Sequence, residues 1–133
     1  MPASLDNVET VRRYLQGIEQ GAFPDVKALF TTDVVIEQLP NRIYPQGLQG
    51  TLSQMENAFE KGRKLFSRQT YEIKNSVAGG EKVAVEVLWT GTLGVAFGNL
   101  TAGSQIRCHS AMFFEFVDGK IVRQRNYDSF ERW

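Results

Sequence analysis

The sequence has very few of the residues that form disulfides and metal sites. Its only cysteine is Cys108 and its only histidine is His109. A lone cysteine excludes an intramolecular disulfide and fits a reducing compartment, so we expect a cytoplasmic protein. Neighbours in a strand point to opposite faces, and no second histidine could complete a zinc site with either residue. We therefore expect no metal ion, and nothing in the sequence indicates a cofactor.

An excess of one charge and long apolar runs are also missing. Fifteen basic and fifteen acidic side chains give a formal net charge of zero. A chain without net charge lacks the field that draws proteins to phosphate backbones or anionic lipid. No apolar run approaches the roughly 18 residues of a membrane span, and the N-terminal stretch MPASLDNVET has no signal-peptide pattern. We expect neither a nucleic-acid partner nor a membrane association.

The N-terminal part of the sequence carries helix signals. Asp6 and Glu9 have the spacing of a capping box, and apolar residues then recur with helical periodicity until Gly21. Pro24 suits the first turn of a second, short helix. The pattern predicts two helices that begin at Asp6 and Pro24.

A strand and a third helix are predicted next. Residues 32–39 are rich in β-branched residues, which favours a strand, whereas residues 40–50 hold two prolines and two glycines and indicate an irregular loop. Thr51 and Gln54 form a second capping-box signal before another helical pattern. The sequence therefore predicts one strand, a loop and helix three.

Strand periodicity begins at residue 67. Gly79-Gly80 and Asp118-Gly119 are two-residue turn signals, and together they indicate three long antiparallel strands preceded by a fourth. Residues 94–103 are too long for a tight turn and predict a loop at the rim of the sheet. Helices followed by strands favour a single α+β domain over residues 1–133, with the helices on one face of the sheet.

This order of elements resembles the nuclear transport factor two-like superfamily, which includes ketosteroid isomerases, SnoaL-like polyketide cyclases and limonene epoxide hydrolase. The resemblance rests on four segments, VRRYLQGIEQGAFPDVKALFTTDVVIE, LQGTLSQMENAF, WTGTLGVAFGNLTAGSQI and FFEFVDGKIVRQRNYDSFERW. It implies a cone-shaped, cystatin-like fold in which three N-terminal helices pack on a curved antiparallel sheet around an apolar pocket. It also implies a hydrophobic small-molecule ligand and a homodimer through the outer face of the sheet.

Tyr14 matches the tyrosine that stabilises the oxyanion in ketosteroid isomerases, although a core tyrosine is the alternative. The general-base aspartate of those enzymes falls on Gln38, and their second oxyanion donor falls on Met112. An amide cannot accept a substrate proton at ordinary pH. The resemblance therefore does not extend to the isomerase mechanism.

The resemblance implies an unusual run of polar residues on the inward face of the last strand, formed by Gln124, Asn126 and Asp128, with Val122 deeper in the interior. Buried polar groups without partners cost about 1 to 3 kcal/mol each. The catalytic aspartate that limonene epoxide hydrolase carries in its final strand falls on Asn126. Asp128 is either an acid or base in the pocket or a carboxylate at its mouth paired with Arg125, Arg132 or backbone amides.

The strand period also decides where His109 lies. If Met112 points inward, so does Phe114, whereas His109 lies on the outer face. A histidine is the usual general base near neutral pH, but this geometry favours an interface role.

These observations lead to three hypotheses. The first is a ligand-binding domain with a pocket, and the second is a cofactor-independent isomerase, cyclase or hydrolase acting on a polycyclic or terpenoid-like ligand. The third is an association module with a filled interior. The candidate catalytic residues are Tyr14 and Asp128, and the candidate pocket residues are Gln38, Met55, Phe59, Met112, Phe114, Gln124 and Asn126.

Overall fold

Three helices lie on one face of a curved, six-stranded sheet in the structure, a computed structural model that describes residues 3–133. The predicted α+β architecture, with three helices packed on a curved sheet, is thereby confirmed. In chain order the elements are α1 (Ala3–Gln20), α2 (Phe23–Lys27), β1 (Phe30–Gln38), β2 (Leu48–Gly50), α3 (Leu52–Leu65), β3 (Phe66–Gly79), β4 (Lys82–Leu93), β5 (Gln105–Val117) and β6 (Lys120–Phe130).

The sheet is mixed, whereas the sequence predicted a purely antiparallel one. Its strand order is β2-β1-β6-β5-β4-β3, and β1 runs parallel to β6 while every other neighbouring pair is antiparallel. A parallel pair needs a long crossover, and here α3 and the β3–β5 meander provide it. The crossover brings the first and last strands together as the second and third strands from one edge of the sheet.

The sequence predicted two capping boxes, and only the one at the start of α3 forms as predicted. Helix α1 already includes Ala3, so Asp6 lies in its first turn and is not the N-cap. A carboxylate favours the positive end of the helix dipole at either place, which is why the sequence signal misled. At α3, Thr51 Oγ1 accepts a hydrogen bond from the backbone N–H of Gln54. Gln54 Oε1 in turn accepts from the backbone N–H of Thr51 at 2.8 Å. That capping box is confirmed.

The predicted loop over residues 40–50 contains a short strand. Strand β2 pairs with the edge of β1, with Leu48 opposite Gln38 and Gly50 opposite Ile36. This pairing satisfies backbone groups that would otherwise leave β1 as an open edge. It also attaches the C-terminal end of the loop at residues 40–47 to the sheet.

Both hairpins form, and one turn is displaced by a residue. Gly79 pairs with Lys82, so the first turn consists of Gly80 and Glu81. The second turn is at Asp118 and Gly119 as predicted, with φ values of 50° and 78°. Positive φ at both positions is what a type I′ hairpin turn requires.

The core lies between the helices and the inner face of the sheet. Strand β5 alternates strictly there, because Ile106, Cys108, Ser110, Met112, Phe114 and Phe116 are all buried. On β6 a bulge places Ile121 opposite Phe116, so Ile121 is fully buried and Val122, which we expected deep in the interior, is not. An extra residue reverses the alternation of a strand. Over residues 3–133, no helix is both long and apolar enough to cross a membrane.

Candidate functional site

The interior contains a cavity of about 410 Å³ between α1, α3 and the inner face of the sheet, which we call the main cavity. Asn41, Ile43 and Tyr44 border it on one side, and Phe97 from the long β4–β5 connection borders it on another. A smaller space of about 190 Å³, the side cavity, extends toward β2 and the start of α3. The two cavities share seven lining residues, which are Tyr14, Gln38, Tyr44, Ala58, Gly62, Gln69 and Tyr71.

The structure brings most of the predicted site residues together around these two spaces. Met112, Asn126 and Asp128 line the main cavity only. Met55, Phe59 and Gln124 line the side cavity only. Tyr14 and Gln38 line both, so the polar side chains of α1, β1 and β6 converge on one region.

Phe114 requires a correction, because it lines neither cavity. Its side chain is 1% exposed, and its ring lies edge-on to Tyr14 with 5.9 Å between the ring centroids. The residue faces inward as the strand period requires, but it lies in the closed part of the core, behind Tyr14. Phe114 therefore supports the site and does not face its interior.

Tyr14 is held on its ring and at its hydroxyl. Phe30 contacts the ring edge-on at 5.4 Å, and Gln124 Nε2 donates to the Tyr14 hydroxyl oxygen at 3.1 Å. Burial raises the pKa of Tyr14 to about 12, although the Gln124 hydrogen bond lowers it and the Asp128 charge raises it further. Since the oxygen already accepts a hydrogen bond, the phenol proton remains available to a group in the cavity.

Gln124 extends this contact to the next inward residue of β6. Its Nε2 also donates to Asn126 Oδ1 at 3.0 Å. The polar run predicted on this strand is therefore partly satisfied by its own members, with Tyr14 as the third.

Asp128 has a different partner from those the sequence suggested. Ser110 Oγ donates to Asp128 Oδ1 at 2.5 Å across the β5–β6 pair. In the described part of the chain, neither Arg125 nor Arg132 forms an ion pair with this carboxylate. Burial raises the pKa of Asp128 above its usual range, and the Ser110 hydrogen bond opposes that rise. The serine could have been found from the register, because Ser110 lies directly opposite Asp128.

A second phenol in the cavities, that of Tyr71, and the cavity wall at Trp89 were not predicted from the sequence. Tyr71 lines both cavities, and burial raises its pKa well above the ordinary value, with the charges of Tyr14 and Asp128 adding to the effect. Its register partner Trp89 lines the main cavity and donates from Nε1 to Gln69 Oε1 at 3.1 Å. The signal was weak, because bulges interrupt the alternation of β3 on both sides of Tyr71.

His109 lies outside the cavities, on the outer face of the sheet. Its Nε2 is 2.8 Å from Glu131 Oε2, and its side chain is exposed. The general-base role considered for it is thus not supported by its position. Within residues 3–133, no cluster of three or more histidine, cysteine or acidic side chains could hold a metal ion.

Cys108 is buried and lines the main cavity. Burial raises the pKa of its thiol to about 12, and the nearby Asp128 charge raises it as well. At neutral pH this residue is a neutral thiol, which makes it a wall of the cavity and a poor nucleophile.

Comparison with known proteins gives one family and a set of similar folds. The family model of the SnoaL-like domain matches residues 11–124. A putative hydroxylase from Streptomyces galilaeus has 19% identity and a TM-score of 0.80, covering 95% of this chain and 76% of the other. A putative polyketide cyclase from Streptomyces antibioticus has 18% identity and a TM-score of 0.81, covering 92% and 91%.

A third structure, a putative SnoaL-like polyketide cyclase from Jannaschia, has 21% identity and a TM-score of 0.77, covering 97% of this chain and 89% of the other. No curated protein matches the sequence. Identities this low establish a shared fold only.

Proposed function

The chain belongs to the SnoaL-like domain family, and we propose that it binds a largely apolar small molecule in the main cavity. The observation that carries this proposal is the cavity itself. Its volume of about 410 Å³ falls in the range of ligand sites, which is about 300 to 1,000 Å³. Most of its surface is apolar, with walls that include Ile106, Met112 and Trp89, and polar side chains from several elements interrupt these walls. A cavity of this volume favours a ligand-binding domain over an association module with a filled interior.

The first prediction tests binding by filling the cavity. A neutral, environment-sensitive dye such as Nile red should bind the wild-type protein saturably, with one site per chain. Met112→Trp replaces a thioether side chain in the wall of the main cavity by a bulkier indole ring. We therefore expect at least a tenfold loss of dye affinity, measured by fluorescence titration.

Phe113→Trp is the matched control, because this neighbour lies on the outer face and is 42% exposed. It should leave dye affinity within about twofold. Overpacking costs roughly 1 to 3 kcal/mol, so thermal unfolding must first show that the Met112→Trp protein is folded. Equal affinities in two folded variants would place the dye elsewhere and contradict the proposal.

A second candidate function is cofactor-independent acid–base catalysis. The observation that favours it is a carboxyl group with a raised pKa, Asp128, in the same cavity as the phenol proton of Tyr14. In this candidate, Asp128 moves a proton on the ligand and Tyr14 donates to the oxyanion that forms. An isomerase, cyclase or hydrolase of a polycyclic or terpenoid-like ligand would use these groups. Two of the similar structures are named as putative polyketide cyclases, and a cyclase is one of these reaction types.

A homodimer through the outer face of the sheet is also proposed. Phe113 and Tyr127 are 42% and 45% exposed there and contact each other edge-on at 5.7 Å. Arg125 lies 5.5 Å from the Phe113 ring, so the patch combines aromatic area with charge, as interface centres do.

The second prediction concerns this dimer. Tyr127→Glu puts a carboxylate into the aromatic patch, and we expect the sedimentation coefficient at micromolar concentration to fall from that of a dimer to that of a monomer. Ser129→Glu, two residues further along the same face, is the control, and it should lower the sedimentation coefficient less than Tyr127→Glu does. A wild-type protein that sediments as a monomer contradicts the interface.

We also propose that the protein is located in the cytoplasm. Its support is the single thiol of Cys108, which is free and buried. A reducing compartment suits a chain whose only cysteine has no disulfide partner of its own.

A further inference from the structure

Asp128 is a carboxylate in the main cavity without a cationic partner. Its Oδ1 accepts from Ser110 Oγ, whereas its Oδ2 has neither a hydrogen bond nor an ion pair among residues 3–133. The side chain is half-buried and lines the main cavity, and Oδ2 is not one of the sealed, unpaired atoms of the core. A molecule in the main cavity can therefore reach this oxygen.

The rest of the cavity lining does not balance the charge of Asp128. Among the lining residues, Lys61 is the only other side chain that is charged at neutral pH, and it is exposed and forms no ion pair with Asp128. Burial raises the pKa of Asp128, and only the Ser110 hydrogen bond opposes that rise. The carboxylate has thus lost water on folding without gaining a cation, so a ligand that brings a cation meets an already desolvated partner.

An aromatic row lies beside this carboxylate on the inner face of the sheet. Three of its four members are aromatic, and the row runs across β3, β4, β5 and β6 through Tyr71, Trp89, Cys108 and Phe130. Asp128 lies in the next row, two residues before Phe130 on the same strand, and all of these residues line the main cavity. The faces of aromatic rings attract cations, so the row and the carboxylate favour the same kind of charge.

We infer that the main cavity recognises a protonated amine, which binds Asp128 Oδ2 and lies against the aromatic row, while the apolar body of the ligand occupies the rest of the space. The inference rests on the proposed binding function and specifies its ligand class. An ammonium group donates a charge-assisted hydrogen bond to the free carboxylate oxygen. It also supplies the positive charge that the lining lacks at this place.

Other common ligand groups match these surroundings less well. A ketone or an ether only accepts hydrogen bonds, so it offers no proton to Asp128 Oδ2. An alcohol donates a proton but brings no charge to the carboxylate or to the aromatic rings. A ligand carboxylate places a like charge beside Asp128, and its only cationic contact in the lining is the exposed Lys61.

The test compares three naphthalenes substituted at the same ring position, each used to displace Nile red from the wild-type protein at neutral pH. They are naphthylmethylamine, which is protonated, naphthalenemethanol, which has the same size and is neutral, and naphthoate, which is anionic. The amine should displace the dye at a concentration at least tenfold lower than the alcohol, and naphthoate should be the weakest of the three. A tenfold ratio corresponds to about 1.4 kcal/mol.

Three variants then locate the effect. Asp128→Asn keeps the size of the side chain and an oxygen for Ser110 but removes the charge, so the preference for the amine should fall to threefold or less. Asp33→Asn makes the same change at an exposed position outside the cavity and should keep the full preference. Lys61→Met removes the other charge of the lining, and the preference should then be at least as large as in the wild type. Thermal unfolding shows that each variant is folded.

The outcomes separate this inference from the proposed function. Equal displacement by the amine and the alcohol overturns the ammonium site and leaves ligand binding intact, and so does tighter binding of naphthoate. An amine preference that survives in folded Asp128→Asn protein also overturns it, because another group then recognises the cation. Failure of the dye and of every naphthalene to bind contradicts the proposed function, and the ammonium site with it.

Discussion

Phe114→Ala is expected to lower the free energy of unfolding by about 4 kcal/mol, as removal of a buried phenylalanine ring from a core typically does. Phe114 is 1% exposed, and it is the largest of the fully buried side chains. Its loss also removes the ring that lies edge-on to Tyr14. Urea unfolding monitored by fluorescence measures the change, and the slope of the transition shows whether unfolding stays cooperative.

The neighbouring residue supplies the control for this prediction. Phe113→Ala removes the same ring from the outer face, where it contacts Tyr127, so a loss of only about 1 kcal/mol is expected. If Phe114→Ala costs no more than Phe113→Ala, the core does not lie where the structure places it. A second result should follow in folded Phe114→Ala protein, namely weaker dye binding, because Tyr14 loses one of its two ring contacts.

The same residue shows what a strand period can and cannot predict. Alternation along β5 predicted correctly that Met112 and Phe114 share the inner face. It gave no information about depth along the strand, and depth separates the cavity wall at Met112 from the core at Phe114. Side-chain direction is a local property with a period of two, whereas depth depends on where the helices cross the sheet.

Local signals were reliable where one short motif decides the backbone. Asp118-Gly119 predicted its turn because both positions need positive φ, and Thr51 with Gln54 predicted the cap of α3. The sequence failed where register depends on distant pairing. The bulge that buries Ile121 and the bulges around Tyr71 are set by neighbouring strands, so no local pattern announces them.

The sequence predicted which polar residues of β6 point into the site, but it did not predict their hydrogen-bond partners. The inward run of β6 correctly included Gln124 and Asp128, but their partners come from elsewhere in the chain. Tyr14 from α1 meets Gln124, and Ser110 from β5 meets Asp128. Such pairs depend on strand register and helix placement, which a single sequence leaves open.

Asp128→Asn is expected to make the protein more stable at neutral pH. Burial raises the folded-state pKa of this carboxyl, whereas in the unfolded chain it titrates near the ordinary value of about 3.9. Between the two pKa values the native state binds more protons than the unfolded state, so the free energy of unfolding falls as pH rises. The contribution is complete below the unfolded pKa and is lost as pH rises through the folded pKa.

The variant should therefore gain stability over the wild type only at the higher pH. An asparagine stays neutral and its oxygen still accepts from Ser110, so the two proteins should converge in acid and diverge toward neutrality. Urea unfolding across that pH range measures the difference. Asp33→Asn, on an exposed position of β1, should change stability by less than about 0.5 kcal/mol throughout. A wild type as stable as the variant at neutral pH would mean that burial does not penalise this carboxylate.

The same carboxyl decides between binding and acid–base catalysis. Ser110→Ala removes the hydrogen bond that lowers the pKa of Asp128, so the carboxyl should titrate at a higher pH in this variant than in the wild type. Carbon-13 NMR of the aspartate carboxyl carbons, assigned through Asp128→Asn, measures both midpoints. A wild-type midpoint above the range of exposed aspartates supports a group that exchanges protons near neutral pH. A midpoint at or below that range removes the catalytic candidate and leaves ligand binding as the function of the cavity.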